Sequence, residues 1–204
     1  MNKKGLLIVF EGIDGSGKTT LAKLLTDRLA AKGHNVLFTY EPTSGRWGTE
    51  LRKSFTANQR LGPEKELDLF LRDRKEHVEQ VIRPKLEKGY IIICDRYYYS
   101  TMAYQGARGM DPSLIEKSNE AFAPKPDILF LLKINPENAL KRIQQRRKEV
   151  PNNFEKLDYL QKVDEIFDDL TGEHIVRISA EQPIDRSLEI IMAVLKERFS
   201  LNSH

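Results

Sequence analysis

The run Gly12-Ile13-Asp14-Gly15-Ser16-Gly17-Lys18-Thr19 contains the residue types needed to hold a polyphosphate. Glycines let a backbone curl so that its N–H groups converge on an anion. A helix opening at Lys18 adds the positive end of its dipole at the same point. Lys18 brings a full charge to the β- and γ-phosphates of a nucleotide, and the Thr19 hydroxyl can ligate Mg²⁺. Gly12, Asp14, Gly15, Ser16, Gly17, Lys18, Thr19 and Thr20 are therefore the candidate ATP-binding residues. The plainer alternative is a glycine-rich turn carrying a surface lysine. It fits poorly, because an apolar run precedes the motif and helical periodicity follows it.

A second chemical pair closes another apolar run, Ile91-Ile92-Ile93-Cys94-Asp95-Arg96. In open α/β sheets ligands gather at the carboxyl ends of strands. Asp95 is thus placed to hold Mg²⁺ or its waters, and Arg96 to clamp a phosphate.

Both motifs need a frame. Five short apolar runs stand out, Leu6 to Phe10, Val36 to Tyr40, Tyr90 to Cys94, Ile128 to Ile134 and Ile175 to Ile178. The first, third and fourth lack polar alternation, as expected of strands buried on both faces. Between the runs lie helical repeats such as Leu21, Leu24, Leu25 and Leu29, or Leu67, Leu71, Val78 and Ile82. Gly33 and Gly89 read as helix ends, and Pro63, Pro112, Pro136 and Pro183 as helix starts. The alternation predicts an α/β fold of P-loop NTPase type, with a five-stranded parallel sheet and helices on both faces. Residues 1–204 read as one domain, with a short lid around 142–153 whose irregular part, Arg146 to Asn153, joins two helical segments. Asn152 and Glu155 resemble a capping pair that restarts a helix. Ser200 to His204 reads as a loose tail.

The chain has 204 residues, with 33 basic and 30 acidic side chains and a net charge of +3. That balance is too even to suggest a nucleic-acid binder from charge alone, so any role of the basic residues is local. The single cysteine, Cys94, excludes an intrachain disulfide and fits a reducing compartment. No apolar run approaches the roughly 20 residues of a membrane helix. The N-terminus reads as the lead into a strand rather than a signal peptide. A soluble cytoplasmic protein is expected. The scattered histidines suggest no zinc site, and His77 reads as a packed, hydrogen-bonded residue.

Three classes of phosphate-loop protein compete: GTP-driven switches, motor ATPases and small-molecule kinases. The Asn-Lys-x-Asp guanine-reading element of a switch is missing, and the chain is small for a motor. Arginines spread along it suit phosphoryl transfer, which must neutralise charge on donor, acceptor and transferred group.

Further motifs sharpen this. Phe10-Glu11-Gly12 through Thr20, Glu41-Pro42, Leu69-Phe70 with Asp73-Arg74 and His77, Asp95-Arg96-Tyr97, and Ser100-Thr101 with Ala103-Tyr104-Gln105-Gly106 follow in order. In this set and spacing the chain resembles the thymidylate kinases over nearly its whole length. The resemblance implies transfer of phosphate from ATP-Mg²⁺ to dTMP by a homodimer, without nucleic-acid or membrane partners. It implies stacking of Phe70 on the thymine, with Arg74, Thr101 and Gln105 at the base and Tyr104 against the deoxyribose. Arg96 and Arg52 would hold the acceptor phosphate, and Asp14 would lie near the acceptor sugar. Family members with glycine at the position of Gly15 take their catalytic arginine from the lid. Arg146 matches it best, with Arg142 and Arg147 beside it. Lys18, Asp95, Arg96 and Arg146 are thus the catalytic candidates, and Thr19 and Asp95 the metal candidates. Kinases of dUMP or of a deoxynucleoside, and a nucleotide-binding module without turnover, are the alternatives. The chain departs from the family's pattern at Thr43-Ser44, Trp47, Tyr99 and Ser179-Ala180.

Overall fold

A computed structural model describes residues 5–56, 60–146 and 157–201. The five apolar runs form β1 (Leu6–Glu11), β2 (Val36–Tyr40), β3 (Ile91–Asp95), β4 (Ile128–Lys133) and β5 (Ile175–Ser179). Tyr90 lies just outside β3, because its amide closes a turn onto the Lys85 carbonyl at 3.1 Å.

All the strands are parallel, in the order β2-β3-β1-β4-β5. The order explains the hydropathy of the runs. β3, β1 and β4 occupy the middle and are buried almost throughout, whereas β2 and β5 lie at the edges and are half-exposed. Strands covered on both faces have no use for polar alternation.

The helices are α1 (Lys18–Ala31), α2 (Arg46–Thr56), α3 (Pro63–His77), α4 (Arg83–Glu87), α5 (Tyr98–Gly106), α6 (Pro112–Glu120), α7 (Pro136–Arg146), α8 (Leu157–Asp168) and α9 (Ile184–Phe199). A π-helical turn, Val78–Ile82, joins α3 to α4. Proline occupies the first turn of α3 and α6, where its missing N–H costs no hydrogen bond. Gly33 and Gly89 adopt φ of 81° and 77° just past α1 and α4, as helix-ending glycines do.

Right-handed crossovers that run in opposite directions along a sheet put their helices on opposite faces. The path from β1 to β2 runs one way and all later paths run the other. α1, the helix of the β1–β2 path, therefore lies on the face opposite the helices of the later paths, and the terminal α9 packs against it.

One expectation needs correcting. The segment from Ser200 does not begin as a loose tail. Ser200 turns back with φ of 50°, and Leu201 is buried against the core. An apolar side chain beyond a helix end gains by folding back onto exposed core surface.

The topology fixes where a ligand can bind. β1 and β3 are neighbours, and the register sets Phe10 beside Asp95. Their connections leave toward opposite faces, which opens a crevice at their carboxyl ends. The glycine-rich loop and the Asp95-Arg96 pair both border it.

Candidate active site

The loop after β1 depends on glycine at two places for different reasons. A Cβ on Gly12 would lie 2.4 Å from the Leu132 carbonyl oxygen, and one on Gly15 would lie 2.5 Å from that of Ala139. Both also need positive φ, 133° and 82°. The loop therefore lies against β4 on one side and α7 on the other, closer than any side chain permits. Lys18 opens α1 and is buried, with Nζ donating to the carbonyls of Gly12 at 2.9 Å and Ile13 at 2.8 Å. Burial, then the Arg96 cation, lowers its pKa to about 8 against the pull of Asp14, Asp95 and Glu11. An ammonium so poorly solvated gains strongly from an anion.

Across the crevice, Arg96 adopts φ of 70°, a left-handed conformation that non-glycine residues seldom accept outside functional sites. The turn aims its guanidinium back at the loop. Nη2 donates to Asp14 Oδ1 at 2.5 Å and Nη1 to Ser100 Oγ at 3.0 Å. Burial works against the Arg96 charge, but Asp14, Tyr104, Asp95 and Glu11 together outweigh it and raise its pKa. The Tyr104 hydroxyl donates to Asp14 Oδ2 at 3.1 Å and accepts from the Asp14 amide at 3.0 Å. Asp95 Oδ2 accepts from the Thr19 hydroxyl.

Glu11 anchors this arrangement. Its carboxylate accepts from the Tyr97 amide at 2.7 Å, the Ser100 amide at 3.0 Å and the Ser100 hydroxyl at 2.5 Å. It thus caps α5 from the end of a neighbouring strand, where the helix dipole favours negative charge. Burial nevertheless raises its pKa to about 7, the hydrogen bonds and Arg96 opposing.

Beside Arg96 opens a pocket of about 210 Å³. Seven of the eight residues that the resemblance assigns to dTMP line it: Asp14, Phe70, Arg74, Arg96, Thr101, Tyr104 and Gln105. α3 supplies Phe70 and Arg74 from one face, and α5 supplies Thr101, Tyr104 and Gln105. Phe55 of α2 stacks on Phe70 with ring centroids 6.2 Å apart. Arg74 is 1% exposed. It donates to Glu41 at 2.7 Å, Asn119 Oδ1 at 2.6 Å and Thr101 Oγ1 at 3.1 Å. Glu41 Oε1 also meets His77 Nδ1 at 2.9 Å, and His77 Nε2 meets Thr39 Oγ1 at 2.7 Å. His77 is thus the packed, hydrogen-bonded residue expected. Glu41, His77 and Cys94 come close enough to hold a metal. Each already has hydrogen-bond partners, because the Cys94 thiol donates to the Arg96 carbonyl at 3.0 Å.

The eighth acceptor candidate, Arg52, lies outside this pocket. It borders an adjacent cleft with Thr19, Asp95 and Arg96, and its Nη1 donates to the Pro42 carbonyl at 2.8 Å. Of the lid arginines, Arg142 donates to the Ala180 carbonyl at 2.9 Å. Arg146 is the last residue of α7, and its side chain lies outside the described residues. So do Arg147, the rest of the stretch to 153 and the Asn152–Glu155 pair. Two departures from the family's pattern have visible partners. The amide and hydroxyl of Thr43 donate to Asp73 at 2.7 and 2.6 Å, and Tyr99 Oη meets His174 Nε2 at 2.9 Å.

Sequence reasoning gave no role to Glu11, Glu41, Phe55 or Glu66, which support or line the pocket. For Glu11 a signal existed: a carboxylate directly after a wholly apolar strand must find hydrogen-bond donors inside the fold. For Phe55 and Glu66, on α2 and α3, no motif marks the position.

Residues 10–191 match the family model described as Thymidylate kinase. A thymidylate kinase of Xanthomonas euvesicatoria is 47% identical over 205 residues, covering 98% of this chain and 89% of its own. One of Desulfotalea psychrophila is 45% identical, covering 95% and 96%. One of Brachyspira hyodysenteriae is 42% identical, covering 95% of each. A family match over most of the chain, with relatives this similar along most of their length, has one reading: the chain belongs to the thymidylate kinase family.

Proposed function

We propose that this chain transfers the γ-phosphate of ATP to dTMP, giving dTDP and ADP. The observation that carries the reading is the shared wall of the two sites. Asp14 and Arg96 border the pocket that also contains Phe70, Arg74, Thr101, Tyr104 and Gln105, while Lys18 lies in the adjoining loop. A base held against Phe70 would direct its 5′-phosphate toward Arg96. The γ-phosphate of a nucleotide in the loop would face it. The relatives' shared name favours dTMP over the deoxynucleoside and non-catalytic alternatives.

The attacking phosphate oxygen is already anionic near neutrality, since the second pKa of a phosphate monoester is about 6. Positioning and charge stabilisation therefore carry the rate, and no strong general base is needed. Lys18 gathers charge on the donor and Arg96 on the acceptor. Arg146, at the end of α7, is the arginine we assign to the transferred group. Closure of the segment around 142–153 would exclude water from the transfer.

Thr19 and Asp95 are the residues that would hold Mg²⁺. Asp95 Oδ1 is buried without a hydrogen-bond partner among the described residues, while Oδ2 meets the Thr19 hydroxyl. A carboxylate and a hydroxyl form a donor set suited to a hard cation. Bound there, the metal would neutralise developing charge on the phosphates. Family membership is what supports a homodimer. Among the described residues no helix is long and apolar enough to cross a membrane.

The test is ADP release across dTMP, dUMP, dCMP, thymidine and no acceptor. The reading expects ADP release to be fastest with dTMP. Activity with thymidine but not dTMP, or no acceptor-dependent ADP at all, would refute it.

A further inference from the structure

Gln105 is fully buried, yet it lines the acceptor pocket. Its amide is held from behind by a cluster that the mechanism above does not use. Gln105 Nε2 donates to Glu66 Oε2 at 2.9 Å, and Arg108 Nη1 approaches Gln105 Oε1 at 3.3 Å. Glu66 is also fully buried. It accepts a bidentate pair from Arg60 at 2.7 and 2.8 Å and a further bond from Arg108 at 2.6 Å. Arg108 is fixed in turn by the Leu61 carbonyl at 2.8 Å.

We propose that Glu66 is a positioning residue for base selectivity, locking the Gln105 amide so that the pocket accepts keto pyrimidines and rejects cytosine. The inference rests on the acceptor-pocket reading given above. A carboxylate only accepts hydrogen bonds and a guanidinium only donates them. Between Glu66 and Arg108 the amide therefore has one orientation, with nitrogen to the acid and oxygen to the arginine. The reverse would set the amide oxygen against the carboxylate and the NH₂ against a cation. Thymine and uracil carry N3–H beside C4=O. Cytosine carries a bare N3 lone pair beside a C4 amino group. The donor and acceptor positions are exchanged, so an amide free to turn over could serve either base. One that cannot turn leaves cytosine with unpaired polar groups in a buried site, the arrangement that gives strong discrimination.

The 5-methyl group plays no part in this lock, which yields an internal control. The experiment is steady-state kcat/KM of the full chain with ATP and dTMP, dUMP or dCMP. It compares wild type with Glu66→Gln, Arg108→Met and Gln105→Met, with thermal melts of each. Glutamine at 66 keeps the shape but can accept or donate, so the Gln105 amide loses the closer of its two orienting contacts. The dTMP:dCMP ratio should fall at least about tenfold in Glu66→Gln, while the dTMP:dUMP ratio stays within about twofold. General loosening of the pocket would move both ratios. A folded Glu66→Gln protein with the wild-type dTMP:dCMP ratio overturns the proposal. If that variant shows no cooperative melt, Arg108→Met decides, since it leaves the Arg60–Glu66 pair in place. It should lower the same ratio about threefold or more, and an unchanged ratio overturns the proposal. Gln105→Met separates the two levels of the argument. If it leaves the ratio unchanged, the reading of the pocket itself fails. If it lowers the ratio while Glu66→Gln does not, only the role of Glu66 fails.

Discussion

The donor loop and the acceptor pocket meet at the Asp14–Arg96 pair but are built differently. The donor side is one stretch of chain, from Gly12 to Thr20, and works largely through backbone. Its accuracy comes from glycines that let the loop lie against Leu132 and Ala139. The acceptor side is assembled from side chains on α2, α3 and α5. Buried carboxylates support it, Glu11 and Glu66 from behind and Glu41 in the wall itself, and they orient the helix start, Gln105 and Arg74 respectively. A backbone cradle needs only local conformational freedom. A side-chain pocket needs a second layer, because each polar group in low dielectric must be both satisfied and held.

The difference can be tested by variants. Lys18→Ala should lower kcat by about 10³-fold or more with the melting temperature little changed. Turnover near wild type would remove the charge from the account of the donor side. Arg74→Lys should be the largest single loss on the acceptor side. Lysine cannot serve Glu41, Asn119 and Thr101 together, so kcat/KM for dTMP should fall roughly 10²-fold while KM for ATP stays put. A matching rise in KM for ATP would mean that the two sides are less separate than their construction suggests.

Gly15→Ala probes the cradle through stability. Positive φ and the approach to Ala139 should together cost about 2 kcal/mol in urea unfolding. A neutral result would show that α7 yields easily to the loop. Glu11 offers a pH test of the supporting layer. Its folded pKa of about 7 exceeds the ordinary 4.5, so between those values the folded chain holds a proton that the unfolded chain releases. Wild-type stability should therefore fall as pH rises through that window, by on the order of 1–3 kcal/mol relative to Glu11→Gln. Parallel stability curves would contradict it. The smallest effect belongs to the exposed pair Arg72–Asp68, which lies outside both regions. Asp68→Ala should change stability by less than about 0.5 kcal/mol and leave turnover alone.

Legibility in the sequence followed the same division. The glycine loop, the helix at Lys18, and the burial of β1, β3 and β4 were readable because they depend on consecutive residues. α5 carried no clear periodic signal. α5 is buried nearly all round, so no polar face marks it. Phe70 and Arg74 could be paired by their spacing on one helix. Their partners could not be found in that way, because Asn119 lies 45 positions and Glu41 33 positions from Arg74.

Composition, periodicity and one contiguous motif by themselves determined the α/β class, the central strands and a phosphate-binding loop. These depend on local backbone preference and on which segments must avoid water. Tertiary structure alone decided that Arg52 borders the cleft beside Asp95 and Arg96, and that Leu201 packs inward. It alone decided that Glu66, from α3, holds Gln105, from α5. Such pairings arise where crossovers bring distant segments together, and the energy that selects them is the need of buried polar groups for partners.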